Sequence, residues 1–222
     1  MDSLKQIFTI GFFAILIAFD PCSATTTPER NLTECERFVL DPKIDVFVCM
    51  QMEFTTEKIE EAAKHFNNSE CPRCQQFCSR RQSVLECIHE RATTLSRILP
   101  RAKEMTEFMV DFFESGIPFV CDNNATMLAE LINEENDRCI RENAGECKKY
   151  MSMVRMPSYL SFCENQDQAN DLSFGKQTCQ GVISYLECSK ATIEPCSSGL
   201  KNFVGGAVST FKDNGACAKY DL

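Results

Sequence analysis

The chain has 222 residues and carries 32 acidic against 23 basic side chains, a net charge of −9 that argues against nucleic acid or an anionic membrane surface as a partner. Its 15 cysteines set it apart from ordinary cytosolic chains and point to an oxidising compartment. A chain of this size buries enough surface to form a core without staples, so cross-links here add resistance to unfolding outside the cell.

At the N-terminus, Lys5 precedes an apolar run from Ile7 to Phe19, and the short polar stretch after it ends in Cys22-Ser23-Ala24. Basic, apolar, then small is the order of a signal peptide, so residues 1–24 are expected to be cleaved and the protein secreted. The run falls short of the roughly 20 apolar residues that span a bilayer, and no stable membrane insertion is expected. Cleavage removes Cys22 and leaves fourteen cysteines, an even set. Cys35, Cys49, Cys71, Cys74, Cys78, Cys87, Cys121, Cys139, Cys147, Cys163, Cys179, Cys188, Cys196 and Cys217 are therefore expected as structural disulfides, with the connectivity open. Three sequons, at Asn31, Asn67 and Asn124, suit the same secretory route and lie beside element boundaries where a glycan is solvated.

Residues 25–34 read as a flexible leader and residues 35–222 as a single cysteine-rich helical domain, because no linker or low-complexity tract divides them. The stretch from Phe38 to Phe54 has no clear period. Thr55 offers an N-cap to a helix carrying Ile59, Ala62, Ala63 and Phe66. From Cys71 the stripe Cys74, Cys78, Leu85, Ile88, Ala92, Leu95 and Leu99 predicts one helix up to Pro100, with Cys87 off the stripe and tied to a different neighbour. Met105, Phe108, Met109 and Phe112 mark the next helix, which Gly116 and Pro118 are expected to stop. Asn124 then caps a helix through Met127, Leu128, Leu131, Ile132 and Cys139, with Glu130, Glu134, Glu135 and Asp137 on its solvated side. Residues 164–171 read as an exposed loop, and two last helices carry Cys179, Val182, Ile183 and Leu186, then Leu200 through Phe211, closed by Gly215. Every periodic segment is helical, and the fold class is all-α, a disulfide-rich irregular helical bundle.

Candidate chemistry is sparse. Cys71-Pro72-Arg73-Cys74 is a Cys-x-x-Cys at a helix start, where the helix dipole favours a thiolate, and a thiol oxidoreductase through Cys71/Cys74 is one alternative. Its lack of a βαβ setting and the company of twelve other cysteines favour structural disulfides instead. Cys71, Cys74 and Cys78 with His65 or His89 do not have zinc-finger spacing, so no metal ligand and no cofactor is assigned. Only those two histidines offer neutral-pH bases, neither near a nucleophile elbow, and Glu134 and Glu135 point about 100° apart on a helix; no catalytic residue is assigned. Ser115-Gly116 and Ser198-Gly199 are weak glycosaminoglycan attachment signals.

Cys179, Cys188, Cys196 and Cys217 have 8, 7 and 20 residues between them, with an aromatic-apolar helix before the last and the chain ending soon after. In that rhythm the chain resembles the nematode-expanded family of secreted cysteine-rich domains known as domain of unknown function 19. The resemblance implies an extracellular, bridge-held helical module without an established activity. The reading that follows is a secreted glycoprotein acting as a binding or interaction module and not an enzyme, with an extracellular protein or a small apolar ligand as partner. A lipid carrier of saposin-like build is the second reading, motivated by the Phe108/Phe112 and Phe203/Phe211 faces.

Overall fold

The computed structural model describes residues 33–41, 45–151, 163 and 174–222. The expected signal peptide, most of the leader, Asn31 and the 164–171 loop lie outside them. Among the described residues the secondary structure is helical throughout, without strands. Ten helices follow in order: α1 Glu34–Val39, α2 Val46–Gln51, α3 Thr56–His65, α4 Pro72–Ser79, α5 Arg81–Ile98, α6 Lys103–Leu131, α7 Glu134–Asn143, α8 Lys148–Met151, α9 Phe174–Thr192 and α10 Ser198–Ser209. Short 3₁₀ turns at Pro100–Ala102 and Gly145–Cys147 precede α6 and α8, and a π turn at Thr210–Asn214 ends α10.

Polar residues open several of these helices by accepting orphan backbone N–H groups, whereas α5 and α6 start without a side-chain cap. Thr33 and Glu36 form a reciprocal capping box on α1, so the helix already begins inside the last residues of the expected leader. Asp45 caps α2, which fills the stretch left without a period and buries Val46, Phe47, Cys49 and Met50. The Thr55 hydroxyl accepts from Lys58 N–H, the expected start of α3. Ser197 does the same for α10 through Leu200 N–H at 3.1 Å.

α5 lies along α6, α2 packs on α5, and α3 on α4; α10 joins α6 and α9. One buried cluster runs through both halves of the sequence, from Val46 to Cys217, centred on Phe108, Phe113 and Ile117 of α6, Ile88 and Leu95 of α5, and Leu200 and Phe203 of α10. Phe112 stacks on Phe211 at 4.6 Å, and Phe47 meets Phe113 edge-on at 5.7 Å, both favourable aromatic geometries.

All fourteen expected cysteines are paired: Cys35–Cys163, Cys49–Cys87, Cys71–Cys74, Cys78–Cys121, Cys139–Cys196, Cys147–Cys188 and Cys179–Cys217. Cys87 is tied to a different element from Cys74 and Cys78, as its place off the stripe implies. Three bridges close within residues 49–121 and three within 139–217. Only Cys35–Cys163 crosses between the two sets, so the halves are joined mainly by packing of α10 on α6.

Four boundaries differ from the sequence reading. The helix expected over Cys71 to Pro100 breaks at Arg80, whose φ of −101° and ψ of 3° leave helical geometry between α4 and α5. Gly116 and Pro118 do not stop α6: the helix continues to Cys121, because Ile117 and Val120 are buried and stopping would expose them. The break falls at Asp122–Ala125, where Asn123, Asn124 and Ala125 have φ of 51°, 57° and 61°. Asn124 is therefore a left-handed turn residue and not an N-cap, and the helix expected to run on through Cys139 ends at Leu131, Asn133 capping a new helix, α7. Gly215 closes the last turn without a left-handed φ; a side chain there would meet the Thr210 carbonyl at 2.6 Å and the Ser115 hydroxyl at 2.9 Å.

Candidate functional site

The left-handed turn inside α6 shapes a cleft. Two of its residues are asparagines, which tolerate positive φ better than most side chains. The turn's carbonyls find donors nearby: the Thr126 hydroxyl donates to Asn123 C=O, and the Gln75 amide reaches across from α4 to Asn124 C=O. The Cys78–Cys121 bridge fixes the same two helices one turn away. α4 is thus held against the break, and the space between α3, the start of α4 and the last turns of α6 stays open.

This cleft has a volume of about 630 Å³, within the range of small-molecule sites. Ile59, Ala63, Ala129 and Ile132 give it apolar walls; Arg73, Gln75, Glu70 and Glu130 supply polar groups. Burial pushes the Arg73 guanidinium below its usual range, and the nearby Glu134 carboxylate opposes that shift. Cys71 lies on the rim as the N-cap of α4, its Sγ accepting the Cys74 N–H at 3.3 Å.

The far wall is stiffened by a buried polar network. The Asn136 amide, 4% exposed, donates to the Glu130 carboxylate at 2.6 Å and to the Glu130 carbonyl at 2.9 Å. Ser197 donates to Asn136 Oδ1 at 2.8 Å, which ties α10 to α7. A side chain at Gly199 would fall 2.1 Å from Glu130 Oε1, so this glycine is needed for space and not for φ. Asn133 Oδ1 accepts from Glu135 and Asn136 N–H at 2.9 and 3.1 Å, completing the corner.

The residues singled out in the sequence are dispersed. Of the sequons, Asn124 is exposed on the cleft wall and Asn67 is exposed at the end of α3, close before the lining residue Ser69. His65 pairs with Glu61 on α3 and His89 with Glu114 at 2.8 Å between α5 and α6; neither histidine lines the cleft. Glu134 and Glu135 stand exposed in the first turn of α7, where the helix dipole favours them. Cys71, Cys74 and Cys78 all have sulfur partners, so none is a free thiolate for zinc. Ser115 donates to Asp111 C=O within α6, and Ser198 is exposed at the start of α10. Phe108, Phe112, Phe203 and Phe211 are at most 3% exposed and pack into the core. Arg73, Gln75, Glu130 and Asn136 were not legible as a site; the Asn123-Asn124 doublet after an apolar run was the one available sign of a left-handed break.

Fold and bridges define an all-α, disulfide-rich protein, and its described residues form a mixed polar and apolar cleft. The bridges fit an oxidising compartment, and no helix among the described residues is long and apolar enough to cross a membrane. The chain belongs to the family described as protein of unknown function (DUF1397), whose model matches residues 20–217. That match agrees with a cysteine-rich domain without an assigned activity; it supports neither the number 19 nor a nematode expansion. No curated protein and no solved structure matches the chain.

Proposed function

We propose that the protein is a secreted, disulfide-stapled glycoprotein that acts as an extracellular binding module, without catalysis, and that its ligand seat is the cleft between α3, α4 and the end of α6. The observation that carries this reading is a cleft of about 630 Å³ whose walls are fixed by a bridge, a buried amide network and a backbone turn in an uncommon conformation. Non-glycine residues at positive φ cost free energy and concentrate where a surface must be held in one shape. Apolar side chains on α3 and α6 with Arg73 and Gln75 opposite suit a small ligand with one apolar face and one polar end. The lipid-carrier reading loses its motive, because the phenylalanine faces that suggested it fill the core.

Two measurements test this. Protein secreted from a eukaryotic host is expected to begin at Thr25 and to show seven intact bridges and glycan on the sequons in non-reducing peptide mass spectrometry. A retained N-terminus would remove the secretory part. A thermal-shift screen of small amphipathic compounds is then run on the wild type and on Ala129→Trp, which fills the cleft. Compounds that stabilise the wild type and not the variant support the seat; equal stabilisation of both places binding elsewhere and ends the assignment.

A further inference from the structure

We propose that the Cys71–Cys74 bridge is a thiol–disulfide exchange site on the cleft rim, open to an external thiol while the other six bridges stay closed. The inference deepens the binding reading by giving the same cleft a chemistry, and it rests on that reading only for access of small molecules to the cleft.

Four observations converge. The first is span: Cys71 and Cys74 are 3 residues apart, whereas every other bridge joins cysteines at least 38 apart and ties separate elements. A bridge over so short a loop removes little freedom from the unfolded chain, so opening it leaves the fold standing. The second is direction of attack. Cys71 is half-buried and lines the cleft, while Cys74 is 1% exposed and Cys74 does not face the opening. The third is charge. Cys71 Sγ already receives the Cys74 N–H at the start of α4, and both sulfurs lie at the positive end of that helix, which favours negative charge on whichever sulfur departs. The fourth is Arg73, which lines the same cleft between the two cysteines and brings a cation beside the bridge; the Glu134 carboxylate near it offsets part of its attraction for an incoming thiolate.

The exchange runs in two displacements. The thiolate of a small thiol such as glutathione attacks Cys71 Sγ; the Cys71–Cys74 bond breaks, and its electron pair leaves on Cys74 Sγ, which takes a proton from solvent. A second thiol then attacks the external sulfur of the mixed disulfide and releases Cys71 as a thiolate. Two external thiols are oxidised to one disulfide while the bridge is reduced to two cysteine thiols.

The test uses the full secreted chain under native conditions, titrated with reduced glutathione, quenched in acid and alkylated before and after denaturing reduction with two isotopic labels. The Cys71–Cys74 bridge is expected to open at about tenfold lower glutathione than any other, Cys74 taking the native-state label and Cys71 carrying the glutathione adduct after the first displacement or the label after the second. Arg73→Gln is expected to slow that labelling about threefold without changing which bridge opens first. Opening of any other bridge first, or an adduct confined to Cys74, overturns the proposal. The double variant Cys71→Ser/Cys74→Ser guards against labelling by unfolding: it is expected to melt within a few degrees of the wild type, and loss of its folded state overturns the local-opening argument. Selective opening with no ligand found in the thermal-shift screen leaves the exchange site standing and ends only the binding reading; a ligand without selective opening does the reverse.

Discussion

Helix α6 meets two stop signals in quick succession and yields only to the second. At Gly116-Ile117-Pro118 it carries both residues that usually end helices, yet it continues. At Asp122–Ala125 there is neither glycine nor proline, yet three residues in a row turn left-handed. The difference lies in what surrounds each stretch. Ile117 is fully buried and Val120 is 1% exposed, so unwinding there would hydrate two large side chains, while Pro118 is half-exposed and the carbonyl it leaves unpaired belongs to exposed Glu114. Asp122, Asn123 and Asn124 are exposed and bury nothing by staying helical. The Cys78–Cys121 bridge and the Gln75 amide then hold the chain in its broken form. Local propensity proposes a stop, and burial with cross-linking selects which one is used.

The largest effect in this comparison should come from removing the bridge beside the break. Cys78→Ser with Cys121→Ser is expected to cost about 4 kcal/mol, because it frees a loop that otherwise restricts the unfolded chain. The readout is a fall in Tm of roughly 10 °C for a chain of this size. A fall as small as that expected for the Cys71/Cys74 pair would show that the break holds itself without the bridge.

Next in size is Ile117→Ala, which leaves a cavity where α6 passes its first stop and is expected to cost about 3 kcal/mol in urea unfolding. A loss under about 1 kcal/mol would mean that something other than burial carries the helix through Pro118. The smallest effects have opposite signs at the two stops. Pro118→Ala restores an N–H to the helix and should raise stability by about 1 kcal/mol, measured by the same urea midpoint. Asn123→Val places a β-branched residue at a φ of 51° and should lower stability by about 1 kcal/mol while leaving the Asn124 sequon intact. If Asn123→Val is neutral, the left-handed turn is relaxed more easily than its setting in the cleft implies.

The same contrast explains how much of the molecule could be read from its sequence. The starts of α3 and the apolar faces of α5, α9 and α10 were legible, because Thr55 caps locally and the stripes through Ile88, Val182 and Leu200 repeat at helical spacing. The short α2 was not, since six residues are too few to show a period and its helicity depends on seating Phe47 against Phe113. The cleft was scarcely legible at all. Arg73, Gln75, Glu130 and Asn136 come from three helices, and nothing in their spacing along the chain marks them as neighbours.

By itself the sequence determined composition-level and local properties: helices throughout, an even set of fourteen cysteines after the expected cleavage, and the polar caps that open individual helices. These depend on contacts within a few residues or on counts. Which sulfur meets which, where α6 breaks, and which side chains face one another across the cleft were decided only by the tertiary structure. Each of those is a choice among arrangements that satisfy the same local rules, and it is settled by burying Ile117, Phe113 and their neighbours in one core, a long-range term that no short stretch of chain contains.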